Sequence, residues 1–304
     1  MYRNMLVLLD GSQLAEVVFK YAQELSARLN LDLELLHVCA PGEAEQPPMR
    51  RAYMEHMAEV MCSGAEQIRY SISDESVASC IRARGTVVVG YPAEEILKYV
   101  DANDVDLILM STHGHSGIKE WDDVGGVASK VLHASNVPVW LVPAELRDEI
   151  VSDTLPQRTL VVPLSGSKMA EAAIPHALNV ARQRGAESEI VLLGVLDLGN
   201  IVVSRAQLRE REEAQAKLKR YLEGIADLVR AEGFAARTEV LVGEPVASII
   251  EFLRTNPPQL ICMATRGKTG LSKFVFGSVT ENVIHLIKKT PMLLVSGTEP
   301  EGLE

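Results

Sequence analysis

The sequence predicts an α/β protein built as two tandem domains, each with a parallel sheet. Three observations predict it. The chain has 304 residues, about twice an ordinary domain. It repeats itself: "MLVLLDGSQLAEVVFKYAQELSARL" near the start parallels "TLVVPLSGSKMAEAAIPHALNVARQR" after residue 158. "VVVGYPAEEILKYVDANDVDLILMSTHG" likewise parallels "EVLVGEPVASIIEFLRTNPPQLICMATRG", with Gly90, Pro92 and Gly114 opposite Gly243, Pro245 and Gly267 at a constant offset of 153. In each copy, short apolar runs alternate with stretches of helical periodicity. The expected domains are residues 1–143 and 158–297, joined by a polar linker at 144–157 and followed by a tail at 298–304.

The elements follow in order. "MLVLLD" is a short continuous apolar run, as in a strand buried on both faces. A helix follows, with Ser12 expected as its N-cap and Leu14, Val17, Val18, Tyr21 and Leu25 at helical spacing. "LDLELLHV" reads as the second strand, residues of about 46–70 as a helix, and "GTVVVG" as the third strand. "PAEEILKYVDAN" opens a helix with Pro at its first turn, where a missing N–H costs nothing. "VDLILMS", Gly126–Ala134 and "VPVWLVP" complete the half as strand, helix and strand. The second half repeats this through "TPMLLVS". Five strands alternating with four helices make a parallel sheet with right-handed crossovers.

A formal charge of −11 argues against nucleic acid or an anionic membrane as the main partner, since both need a basic surface. Cys39, Cys62, Cys80 and Cys262 are scattered, with no Cys-x-x-Cys pair, so reduced thiols in a cytoplasmic protein are expected. The apolar run before Asp10 is too short for a signal peptide or a membrane span. Aromatic residues are few, so the cores are expected to be aliphatic.

The most informative stretch is Ala264–Glu281, "ATRGKTGLSKFVFGSVTE". Its Gly-Lys-Thr is not a Walker P-loop, because Cys262 stands where the first glycine is required. "PLSGSKMA" likewise lacks the second glycine of a Ser-Gly-Gly loop. The downstream pattern, Gly267, nine residues, then Gly277-Ser278-Val279-Thr280, is a better phosphate site. It begins at a strand tip and ends at a helix start, where free N–H groups and the helix dipole favour an anion. Ligands of open α/β sheets sit outside the strand C-termini at the switch point.

These residues resemble the universal stress protein family, specifically its tandem two-domain members, over nearly the whole chain. The resemblance implies two Rossmann-like domains of the HUP type, each a five-stranded parallel sheet with four helices, related by an internal pseudo-two-fold. It also implies that the last strands of the two halves pair with each other and that a homodimer of chains is possible. Many family members bind ATP, so the resemblance implies ATP, AMP or ADP as ligand, with Mg as a possible companion. Carried over position by position, the second half's nucleotide residues are Ser165, Val195, Met263, Ala264, Gly267, Gly277, Ser278, Val279 and Thr280. In the first half the matching positions are Asp10, Val38, Met110, Ser111, Gly114, Gly125 and Gly126. There ten residues, not nine, separate Gly114 from Gly125, and Gly126 and Ala128 replace the two hydroxyl residues. Asp122 and Asp123 also stand just before the phosphate position. A hydrogen bond to a charged group is worth roughly 1.5–3 kcal/mol, so losing two would weaken a triphosphate site by about two orders of magnitude or more.

The expected function is therefore a cytoplasmic, adenine-nucleotide-binding stress-response regulator with protein partners. Nucleotide is expected mainly in the C-terminal domain. Two alternatives stand beside it: a pseudo-dimer scaffold that binds a lipid, small molecule or partner protein, and a weak ATP hydrolase. No catalytic constellation is legible. His113 and His115 with Asp122 and Asp123 give little basis for a metal site. Met49, Met54, Met57 and Met61 form a near-helical stripe that reads as core or as an adaptable binding face. "REREEAQAKLKRYLEG" reads as a solvated helix.

Overall fold

A computed structural model describes residues 1–12, 14–41, 47–72, 80–112, 126–155, 158–185, 187–197, 205–265 and 277–296. The chain divides into two compact units, Met1–Thr154 and Leu155–Glu304.

In the first unit the strands are β1 (Asn4–Leu8), β2 (Asp32–Cys39), β3 (Ala83–Val89), β4 (Leu107–Ser111) and β5 (Val139–Val142). They pair in parallel in the order β3-β2-β1-β4-β5. The order reverses at β1, which separates the helices. Right-handed crossovers put α1 (Leu14–Leu29) and α2 (Pro47–Ile72) on one face of the sheet. They put α3 (Pro92–Ala102) and α4 (Gly126–Ala134) on the other. The central strands are buried almost throughout, as their unbroken apolar runs require. The core is largely aliphatic, and within it Trp140 meets Tyr21 edge-on, ring centroids 6.2 Å apart. Gly85 of β3 lies directly against the backbone of α2: a Cβ there would strike the Met54 carbonyl and come within 2.7 Å of the Glu55 nitrogen.

The segment read as a linker is in part structured. Asp148–Val151 form a short helix, α5, whose Ile150 is buried. Just beyond it, Asp153 accepts an ion pair from Arg28 of α1 at 3.0 Å.

The second unit repeats the plan with β6 (Arg158–Leu164), β7 (Ser188–Leu196), β8 (Ala235–Val242), β9 (Leu260–Ala264) and β10 (Met292–Val295). They are parallel in the order β8-β7-β6-β9-β10. Its first helix is not continuous. It is split into α6 (Lys168–Glu171) and α7 (Ala173–Arg184). Pro175 explains the break, because it has no N–H to offer the Glu171 carbonyl four residues back and its ring crowds that carbonyl. The remaining helices are α8 (Arg205–Ala231), α9 (Pro245–Thr255) and α10 (Ser278–Leu286). Pro245 opens α9 as expected, and Glu244 before it caps the amides of Val246 and Ala247 at 3.0 and 2.7 Å.

The caps correct one expectation. Ser167 accepts a hydrogen bond from the Ala170 amide at 3.1 Å, a true N-cap. Ser12, its counterpart in the first unit, does not act this way. Its amide donates to Asp10 Oδ1 at 3.0 Å, and its own buried Oγ has no partner. Among the described residues no helix is long and apolar enough to cross a membrane.

Candidate functional site

β6 and β9 are neighbours at the centre of the second sheet, and the chain leaves them toward opposite faces. The gap between their C-terminal ends is the crevice in which open α/β sheets hold ligands. A cavity of about 720 Å³ lies there.

Separate segments build it. After β6 the chain turns sharply at Gly166, whose φ of 78° is left-handed and strained for any side chain. This turn sets Ser165 on the rim, its hydroxyl 3.0 Å from that of Ser167. The end of β7 supplies Val195, Leu196 and Asp197, and β9 supplies Met263. Gly277, Ser278 and Val279 open α10 at the opposite wall.

The start of α10 is pinned over the tip of β9. The Gly277 amide donates to the Thr265 carbonyl at 2.8 Å, and Thr280 Oγ1 donates to the Ala264 carbonyl at 3.0 Å. The first intrahelical bond runs from the Glu281 amide to the Gly277 carbonyl. The amides of 278–280 therefore lie in the turn that has no intrahelical acceptors, where partial positive charge gathers. Gly277 itself has φ −65° and ψ 137°, an ordinary extended conformation.

Two helices finish the walls. α9 presents Pro245 and Ile249, while α8 presents Ala214, Lys217, Leu218 and Tyr221. The Tyr221 hydroxyl donates to Glu171 at 3.0 Å, and Glu171 also receives Lys168. Burial, reinforced by the neighbouring Glu171 carboxylate, pushes Tyr221 ionisation well above its ordinary range. It stays a neutral phenol. The cleft thus joins apolar walls (Val195, Met263, Ile249, Leu218) to one hydroxyl rim and one helix N-terminus. Such a site suits a flat, partly apolar body carrying an anionic end.

Of the sequence-predicted residues, Ser165, Val195, Met263, Gly277, Ser278 and Val279 come together on this cavity. Ala264 is buried behind it, and Thr280 is buried with its hydroxyl spent on Ala264, a clamp between α10 and β9. Gly267 lies outside the described residues. Lys217 and Tyr221 were not anticipated, because the charges around them made α8 read as solvated throughout. The available signal was Ala214, Leu218, Tyr221 and Leu222, spaced to share one face of that helix. Among the described residues no cluster of His, Cys, Asp or Glu is arranged to hold a metal ion.

The sequence profile of the universal stress protein family matches residues 1–143 and again 157–296. The chain belongs to the universal stress protein family. It is a tandem, two-domain member. It is 33% identical over 134 residues to the universal stress protein MJ0531 of Methanocaldococcus jannaschii, covering 42% of this chain and 75% of that one. A universal stress protein of Mycolicibacterium smegmatis is 25% identical over 300 residues and covers 96% of both chains. The fold is similar to that of a crystallised universal stress protein from Archaeoglobus fulgidus, with TM-score 0.63, 21% identity, and 97% and 98% of the two chains covered.

The first universal stress protein domain differs at the corresponding place. Asp10 follows β1 in the same glycine turn, with Gly11 at φ 78°, but its carboxylate accepts the Ser12 amide. Val38, Met110 and Ser111 occupy the ends of β2 and β4, and Gly126 begins α4. Gly114 and Gly125 lie outside the described residues, as do His113, His115, Asp122 and Asp123. A cavity of about 330 Å³ in this domain is lined from α1, α2 and β2, on the other side of β2 from Val38, and none of the predicted residues lines it.

Proposed function

We infer that the second domain binds an adenine nucleotide and that the chain acts as a nucleotide-responsive regulator in the stress response. The observation that carries this is the convergence of Ser165, Val195, Met263, Gly277, Ser278 and Val279, drawn from four separate segments, on one cavity of about 720 Å³. Val195 and Met263 offer apolar contact to a base, and Ser165 a hydroxyl to a ribose. The amides at the start of α10, with Ser278, offer donors to phosphate oxygens. Gly277 leaves the room a phosphate needs. Mg²⁺ would enter with the phosphates.

The test is calorimetric titration of Mg-ATP into nucleotide-stripped chain and into two variants. Ser278→Ala removes one hydrogen bond to a charged group, so affinity should fall about tenfold. Gly277→Glu sets a carboxylate where phosphate is expected, so binding should be lost. Binding that survives Gly277→Glu unchanged would contradict the assignment.

A further inference from the structure

We propose that Cys62 and Cys80 form a redox modification site in the first domain, where a low-molecular-weight disulfide oxidises the two thiols to one bridge. Cys62 lies on α2, and its Sγ donates to the Ile81 carbonyl at 3.0 Å. Cys80 Sγ lies 3.6 Å from the same oxygen. The two thiols are also in hydrogen-bond contact with each other. Cys80 is exposed and Cys62 half-buried, whereas Cys39 and Cys262 are buried within strands.

Both sides of the pair are anchored. Ile81 is buried, and Arg82 beside it donates to Asp32 at the start of β2, from its amide and its Nε, each at 2.9 Å. On the helix, Met61 and Ala65 are buried on either side of Cys62. Glu66, one turn on from Cys62, accepts the Cys80 thiol at 2.6 Å. That hydrogen bond pushes Cys80 ionisation up. Burial does the same to Cys62, reinforced by Glu66 and Asp32 and opposed by Arg69. Neither sulfur is therefore stabilised as a thiolate. Low-pKa dithiols make strong oxidants once bridged because their reduced form is favoured; this pair lacks that advantage, so its bridge forms slowly and resists reduction.

The exchange runs in two balanced steps. Cys80, the exposed thiol, loses its proton to solvent and attacks one sulfur of the small disulfide. The other sulfur leaves as a thiolate and takes up a proton. Cys62 then loses its proton, attacks Cys80 Sγ and expels the second small thiol. Two protein thiols are oxidised to the bridge, and one small disulfide is reduced to two thiols.

The second domain has no such pair. At the offset of 153, Gly233 stands where the first domain has Cys80, and α8 contains no cysteine. The site is particular to the first domain and not a by-product of the repeat.

The test incubates the full chain with glutathione disulfide and follows it by intact mass and peptide mapping. The chain should lose two hydrogens, the peptides of Cys62 and Cys80 should be joined, and dithiothreitol should reverse both changes. The bridged chain should unfold at a higher urea concentration, because the bridge restricts the unfolded chain. Cys62→Ser should stop at a glutathione adduct on Cys80. Cys80→Ser should react at Cys62 at least about tenfold more slowly than the unsubstituted chain reacts at Cys80. If either variant fails to fold, mapping of the unsubstituted chain carries the test. A lasting glutathione adduct on Cys80 of that chain would overturn the proposal. So would a Cys80 bridge between two chains, earlier reaction at Cys39 or Cys262, no reaction at all, or an unchanged urea midpoint in the bridged chain.

Discussion

Ser278 and Thr280 stand two positions apart at the start of α10, and a helix turns such residues toward opposite sides. Ser278 faces the cleft, while Thr280 is buried and donates to the Ala264 carbonyl. The sequence pattern identified both hydroxyls but could not divide their labour, since which side faces the ligand depends on how the helix seats on β9. The division makes a prediction. Thr280→Val keeps the volume but leaves a buried carbonyl without its donor, which should cost about 1–3 kcal/mol of stability in urea unfolding. Ser278→Ala should cost less than about 0.5 kcal/mol in the same assay, as an exposed position does. The reverse order would mean that Thr280 is the ligand and Ser278 the clamp. His37 was equally illegible: a lone histidine in an apolar strand says nothing of the arginine 13 residues on until α2 folds across it.

At the scale of elements, continuous apolar runs announced the central strands β1, β4, β5, β9 and β10, because strands buried on both faces have no polar alternation to confuse them. The helices were legible in place but not in detail. Pro175 breaks the first helix of the second domain, a break that its sequence position permitted reading. α5 was hidden because its four residues are polar apart from Ile150 and Val151, and only docking against the first domain orders so short a helix. Helix-on-strand packing is tightest at Gly85, where the α2 backbone occupies the space of a side chain. Gly85→Ala must push α2 off β3, so it should lower stability by about 1–3 kcal/mol or more. An unchanged midpoint in denaturant would show that α2 does not lie this close. Because α2 also carries Arg50, Met54 and Met57, the same variant should disturb the pocket of the first domain.

For the whole molecule, the repeat was written plainly in the sequence, and so was the asymmetry between its copies. Gly277-Ser278-Val279-Thr280 against Gly125-Gly126-Val127-Ala128 told which copy keeps donors at its phosphate position. What the sequence could not show was the second kind of pocket. It depends on residues from the turn after β1 and from α1, β2 and α2 that only the folded domain brings together, and on a His37-to-Gly194 exchange that looks trivial in one dimension. The account therefore assigns an adenine nucleotide to the second domain and not to the first. The most direct test of its central claim is the stoichiometry of Mg-ATP binding to the nucleotide-stripped chain by calorimetry. The account predicts one site per chain, lost in Gly277→Glu. Two equivalent sites, or none up to millimolar Mg-ATP, would contradict it.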